Sequence, residues 1–122
     1  MGKTNKMIVA VDDSVIILKM LGKVLGDKFD LHAFVDTNRA FEFLKKKTPD
    51  LILLDIDMPV ISGFEMLKQI KEIEHLVDVP VIFLTASGDK EHVVKAVSGG
   101  ANDYAVKPID EEILLKKINA LL

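Results

Sequence analysis

Unbroken apolar runs that end in acids constrain this chain more than any other feature. Leu51-Ile52-Leu53-Leu54 leads directly into Asp55, and Met7-Ile8-Val9-Ala10-Val11 leads directly into Asp12 and Asp13. A strand with one wet face alternates apolar and polar residues. A run with no alternation needs cover on both faces, as in a parallel sheet between two layers of helices. Each run delivers its acid to the carboxyl end of a buried strand, the edge at which open α/β sheets bind ligands.

The rest of the chain supplies the helices that such a sheet requires. Ser14 is placed to cap a helix over Val15 to Leu25, which Gly26-Asp27 closes. A second, less apolar strand is predicted over Phe29 to Phe34, then a short helix over Asn38 to Lys46 with Ala40, Phe41 and Leu44 on one face. Thr48-Pro49-Asp50 breaks it, and Pro59 stops regular structure after the central strand. Ser62 and Glu65 have capping-box spacing, so a helix starts there and continues through Met66, Leu67, Ile70 and Ile73. Val81 to Leu84 forms a fourth strand running into Thr85. A helix is expected over Asp89 to Ser98, stopped by Gly99-Gly100. Asp103 to Val106 forms a fifth strand ending in Lys107-Pro108. Asp110 caps a final helix to Leu122, with Ile113, Leu114, Lys117, Ile118 and Leu121 at core-facing or edge spacing.

Strand and helix therefore alternate five times with short connections, which calls for a five-stranded parallel sheet with helices on both faces. The 122 residues suit one domain spanning 1–122. A net charge of −3 with no basic block gives counterion-release binding to nucleic acid little to draw on. With no cysteine, disulfides and thiolate metal sites are excluded. No signal-peptide core and no membrane-length apolar segment is found, so the chain reads as cytoplasmic.

In a parallel sheet all carboxyl ends lie on one rim. Asp12, Asp13, Asp55, Thr85 and Lys107 should therefore meet. Two carboxylates about 4 Å apart repel by about 4 kcal/mol at an effective dielectric near 20. Three can share a site only if their pKa values rise or a cation joins them. The donors are all oxygen, and a small carboxylate set with room for water and phosphate suits Mg²⁺. A carboxylate between such an ion and a lysine is well placed to accept a phosphoryl group.

Taken together, Val11-Asp12-Asp13-Ser14, Leu53-Leu54-Asp55-Ile56-Asp57-Met58-Pro59, Ser62-Gly63, Leu84-Thr85-Ala86 and Gly100-Ala101-Asn102-Asp103-Tyr104-Ala105-Val106-Lys107-Pro108 resemble the receiver domain of two-component response regulators. The resemblance covers essentially the whole chain. It implies the flavodoxin-like strand order 2-1-3-4-5. It also implies a module that is not an enzyme beyond its own phosphorylation and dephosphorylation. Asp55 is then the phosphoacceptor, served by a sensor histidine kinase or a histidine phosphotransfer protein. Asp12, Asp13 and Asp55 hold Mg²⁺ together with the backbone carbonyl of Asp57. Thr85 and Tyr104 are the switch pair, Lys107 pairs with the phosphate, and the bond to Pro108 is expected to be cis. A switched surface of the helix after the fourth strand, the fifth strand and the final helix would meet a downstream protein, unless an output domain lies outside this sequence.

Two positions depart from the family pattern. Ser62 replaces a common aspartate and does the same capping work. Asp57 adds an acid beside the site, either steering the water that hydrolyses the phosphoryl-aspartate or standing solvated in the loop. In the first helix, Val15, Ile16, Ile17, Leu18, Met20, Leu21, Val24 and Leu25 cover more than one face. The surplus is either a docking patch for the phosphodonor or apolar surface buried under loops.

The main rival is a haloacid-dehalogenase-type phosphatase, since Asp55-Ile56-Asp57 follows an apolar strand as Asp-x-Asp does there. Those enzymes place the motif on their first strand with further acids later, the reverse of the order here. A nucleotide or flavin binder is disfavoured because two aspartates, not a glycine-rich loop, follow the first strand. Asp12-Asp13 alone would serve as a helix-capping pair. His32, His75 and His92 lack ligand spacing and read as structural or surface residues.

Overall fold

A computed structural model describes residues 5–58, 61–86, 95 and 98–122. The expectations on Pro59 and on most of the Asp89–Ser98 helix fall outside these residues. Among the described residues the elements are β1 (Met7–Val11), α1 (Val15–Leu25), β2 (Asp30–Phe34), α2 (Thr37–Lys46), β3 (Leu51–Asp55) and α3 (Gly63–Lys71). They continue with a 3-10 turn (Glu74–Leu76), β4 (Val81–Thr85), β5 (Asp103–Val106) and α4 (Glu111–Leu121). The sheet is parallel throughout, in the order β2-β1-β3-β4-β5.

Strand parity sorts the core into two layers, because successive side chains point to opposite faces. Val9, Val11, Ile52, Leu54, Val81 and Phe83 pack against Ala40 and Leu44 of α2 and Met66, Leu67 and Ile70 of α3. Ile8, Ala10, Leu51, Leu53, Ile82 and Leu84 meet Leu21, Val24 and Leu25 of α1 and Leu114 and Ile118 of α4. Every residue of β3 and β4 is buried, which explains why these strands read as continuous apolar runs. The edge strands β2 and β5 are only partly covered and correspondingly more polar.

The helix starts follow the capping chemistry. Ser14 Oγ accepts the Ile17 N–H at 3.3 Å, Ser62 Oγ the Glu65 N–H at 3.2 Å, and Asp110 Oδ1 the Ile113 N–H at 3.0 Å.

Three boundaries differ from expectation. β2 begins at Asp30, because the Phe29 N–H still bonds the Leu25 carbonyl at 2.9 Å and its ring is buried behind α1. α2 begins at Thr37, since Asp36 is a better cap than any residue after it: its carboxylate accepts from Asn38 N at 2.8 Å and Arg39 N at 3.4 Å. α3 ends at Lys71, as Glu72 and Ile73 donate three residues back to Gln69 and Ile70, and a 3-10 turn follows. There the Lys71 Nζ donates to the Val77 and Val79 carbonyls at 3.0 and 2.7 Å, and burial lowers its pKa. On α4, Leu114 and Ile118 are buried, whereas Ile113 is exposed at the edge.

On α1, Leu21, Val24 and Leu25 are buried, and Ile17, Leu18 and Met20 lean on the same core. Only Val15 and Ile16, 55% and 79% exposed, remain as surplus apolar surface. Part of the sequence-level surplus is therefore core, and a smaller patch at the first turn is left in solvent.

A candidate phosphoacceptor and metal site

Register brings the acids together. Val11 is opposite Leu54 across β1 and β3, so Asp12 falls level with Asp55. Leu84 is opposite Asp55, and Thr85 is opposite Val106, which puts Lys107 one residue past the end of β5. The five predicted residues thus share the carboxyl rim.

At the centre, the Lys107 Nζ lies 2.9 Å from Asp12 Oδ2 and 3.2 Å from Asp55 Oδ1. Asp12 is fully buried and Asp55 is 2% exposed. Asp13 is exposed, yet it offers a carboxylate oxygen within 4.8 Å of those of Asp12 and Asp55. Backbone donors complete the site: the Ser14 N–H gives to Asp12 Oδ1 at 2.9 Å, and the Asp57 N–H gives to Asp55 Oδ1 at 3.3 Å.

One lysine facing three carboxylates leaves the pocket short of positive charge. Burial, then repulsion from Asp12, push the Asp55 carboxyl up from 3.8 to about 7, against the opposing pull of Lys107. Burial works to lower the Lys107 ammonium, but its hydrogen bond to Asp12 and the charges of Asp12 and Asp55 outweigh this and raise it. A cation shared by these carboxylates would offset the repulsion that raises Asp55. The donor set is oxygen only, its atoms are close enough to share one ion, and one of its carboxylates remains open to solvent. These residues fit a hard divalent cation.

The other predicted residues stand around this centre. Thr85 is buried at the end of β4, and its carbonyl accepts the Lys107 N–H at 2.7 Å. The Lys107–Pro108 bond is cis. The Asp57 side chain is exposed, and the residue reaches Asp55 through its backbone N–H. Tyr104 stands apart from the acids at the β5 edge, partly buried on the α2/α3 side of the sheet.

Three contributors named in the sequence were given no role at the site. Gly63 starts α3 directly against the end of β3: its N–H bonds the Ile56 carbonyl at 2.6 Å, and a Cβ there would collide with the Asp55 carbonyl and lie 2.7 Å from Ile56 Cα. Its signal in the sequence was its place in Ser62-Gly63, one of the pieces that carry the family resemblance. Asp103 and Lys117 bracket Tyr104, through contacts that no local pattern announces.

A parallel 2-1-3-4-5 sheet with an acid cluster and a lysine at its carboxyl rim defines a phosphoacceptor domain of the flavodoxin-like class. Residues 8–119 match the response regulator receiver domain, and the chain belongs to that family. It is 34% identical over 119 residues to the phosphate regulon transcriptional regulatory protein PhoB of Pseudomonas aeruginosa, covering 97% of this chain and 52% of that protein. It is 31% identical over 118 residues to the chemotaxis protein CheY of Halobacterium salinarum, covering 96% of this chain and 97% of that protein. The structure of the chemotaxis response regulator CheY4 of Vibrio cholerae superposes with a TM-score of 0.91 at 31% identity, covering 98% of this chain and all of that one. This chain spans about half the length of several curated relatives, at 52%, 56% and 45% of the first three. As a receiver domain it is a regulatory phosphoacceptor module. Among the described residues, no helix is long and apolar enough to cross a membrane.

Proposed function

We propose that Asp55 accepts a phosphoryl group from a phosphohistidine of a sensor kinase or a histidine phosphotransfer protein. The observation that carries this reading is the buried Asp55 carboxylate held between Lys107 and two further acids on one rim. An Asp55 oxygen attacks phosphorus in line, the phosphorus–nitrogen bond to the donor histidine breaks, and an aspartyl phosphate forms. Mg²⁺, held by Asp12, Asp13 and Asp55 with the Asp57 backbone carbonyl, would supply positive charge opposite the phosphoryl oxygens. The Lys107 ammonium neutralises a further phosphoryl oxygen, and the Thr85 hydroxyl donates to another. Movement of Thr85 toward the phosphate lets Tyr104 turn inward and changes the β5–α4 surface offered to a downstream protein. Pro108 shapes the loop that presents Lys107. The whole reading concerns a single domain, residues 1–122.

The exposed first turn of α1, Val15 and Ile16, lies beside Asp13 and suits the donor's apolar helices. An Ile16→Asp variant that folds normally should lose phosphotransfer from the protein donor but keep acceptance from a small one.

The direct test is incubation with a small acyl phosphate and Mg²⁺, followed by intact mass. The parent should gain one phosphoryl group in a metal-dependent manner, and Asp55→Asn none. Gain of the group by Asp55→Asn would refute the assignment. Multiple turnover of a phosphomonoester would instead favour the Asp-x-Asp phosphatase reading.

A further inference from the structure

We propose that Lys117 is a positioning residue for Tyr104: an ammonium anchored on Asp103 that clasps the tyrosine ring at the outer edge of β5. The proposal rests on the reading of Tyr104 as the residue that reports phosphorylation.

One carboxylate organises the contact. Asp103 Oδ1 accepts the Lys117 Nζ at 2.9 Å and also the Tyr104 backbone N–H at 2.8 Å. The same ammonium lies 5.0 Å from the centre of the Tyr104 ring, inside the range of a cation–π contact. Asp103 thus fixes both the main chain of Tyr104 and the cation facing its ring. The lysine is only 26% exposed and the aspartate 33%, so the pair is partly shielded from solvent and salt.

Topology makes this contact a clasp rather than a surface decoration. Tyr104 packs with the α2/α3 side of the sheet, while Lys117 comes from α4 on the opposite side. Since β5 is an edge strand, the lysine reaches the ring around the end of the sheet. A cavity of ≈ 280 Å³ between β5 and α4, lined by residues including Val106, Pro108 and Ile113, adjoins both side chains. The ring therefore has adjoining space, and a charge–quadrupole contact biases where it sits. A cation–π contact at a half-exposed site changes such an equilibrium by about two- to fivefold. Lys117 favours the ring position of the unphosphorylated domain, and its loss favours the phosphorylated one.

The chain contains a single tyrosine, so 3-fluorotyrosine labelling yields one ¹⁹F resonance that reports Tyr104 alone. The experiment compares the parent, Lys117→Met and Lys117→Arg, each before and after phosphorylation with an acyl phosphate and Mg²⁺. Methionine keeps much of the apolar stem without the charge, whereas arginine keeps the charge. Before phosphorylation, Lys117→Met should move the resonance toward the phosphorylated position and Lys117→Arg should restore the parental one. The rate of phosphorylation by the small donor should rise about two- to fivefold in Lys117→Met. If phosphorylation moves the parental resonance but unphosphorylated Lys117→Met superposes on the parent, the clasp is refuted and the Tyr104 reading survives. If the parental resonance does not respond to phosphorylation, the Tyr104 reading itself falls, and the clasp loses its function. A loss of thermal stability in Lys117→Met with no change in the resonance would mark a merely structural ion pair and also refute the proposal.

Discussion

Replacing Asp55 by asparagine should stabilise the metal-free protein, and should do so only where the carboxylate is ionised. Burial and Asp12 raise the Asp55 carboxyl from 3.8 to about 7. Each pKa unit corresponds to about 1.36 kcal/mol. Holding Asp55 ionised in the folded state at pH 8 therefore costs about 4 kcal/mol. The sign follows from proton counting. Below about pH 4 both folded and unfolded chains carry the proton, and no penalty exists. Between there and about pH 7 the unfolded chain releases its proton first, so the folded chain binds more protons and stability falls as pH rises. Asparagine has nearly the same shape and no charge, and Lys107 keeps Asp12 at 2.9 Å as its partner. The loss of one charge-assisted hydrogen bond to Lys107 takes back part of the gain. Asp55→Asn should then be more stable than the parent by about 2 to 4 kcal/mol at pH 8, or roughly 6 to 15 °C in Tm. The gap should shrink steadily below pH 7 and close near pH 4. Urea unfolding followed by far-ultraviolet circular dichroism, at half-unit pH steps in chelator, measures it. Millimolar Mg²⁺ should raise the parent's stability at pH 8 more than the variant's, because it binds the ionised folded site. A gap that stays constant from pH 4 to 8, or a parent that is the more stable at pH 8, would refute the reasoning.

Other perturbations test separate parts of the site and core. Lys107→Met leaves Asp12 and Asp55 facing each other without their cation. It should cost about 3 to 5 kcal/mol at pH 8 by urea unfolding and less at pH 4, where Asp55, raised to about 7, carries its proton. Gly63→Ala drives a methyl into the Asp55 main chain, so unfolding should show about 1 to 3 kcal/mol of destabilisation from overpacking and mass spectrometry a slower phosphoryl uptake. Leu54→Ala empties a fully buried position between α2 and α3 and should cost about 2 to 5 kcal/mol; a cost below 1 kcal/mol would contradict the packing described. Asp57→Asn keeps the backbone N–H that bonds Asp55, and its side chain stands in solvent. Its aspartyl-phosphate should hydrolyse within about twofold of the parental rate, as expected for a surface charge change; a larger change would revive the steering of the attacking water.

The sheet was legible in the linear chain because burial on both faces leaves a mark that needs no partner to read. β1, β3 and β4 are runs without alternation, and each ends in or runs directly into a residue that becomes part of the rim. Caps were legible for the same local reason: Ser14, Ser62 and Asp110 act on backbone groups three residues away. Where two local signals competed, the reading slipped by a residue or two. Asp36 displaced Asn38 as a helix start, and the hydrophobic period through Ile73 concealed the change to a 3-10 turn after Lys71.

By itself, then, the sequence determined the strands, the acids at their ends and the family to which the pattern belongs, since each depends on neighbours along the chain. Only the tertiary structure decided that Lys107 bridges Asp12 and Asp55, that Gly63 must lack a side chain, and that Lys117 reaches Tyr104 around the sheet edge. Those facts join residues as far apart in the chain as Asp12 and Lys107, and the distances that matter are fixed by strand register and helix placement. The carboxyl of Asp55 is raised for the same reason: its proton affinity belongs to the pocket that surrounds it.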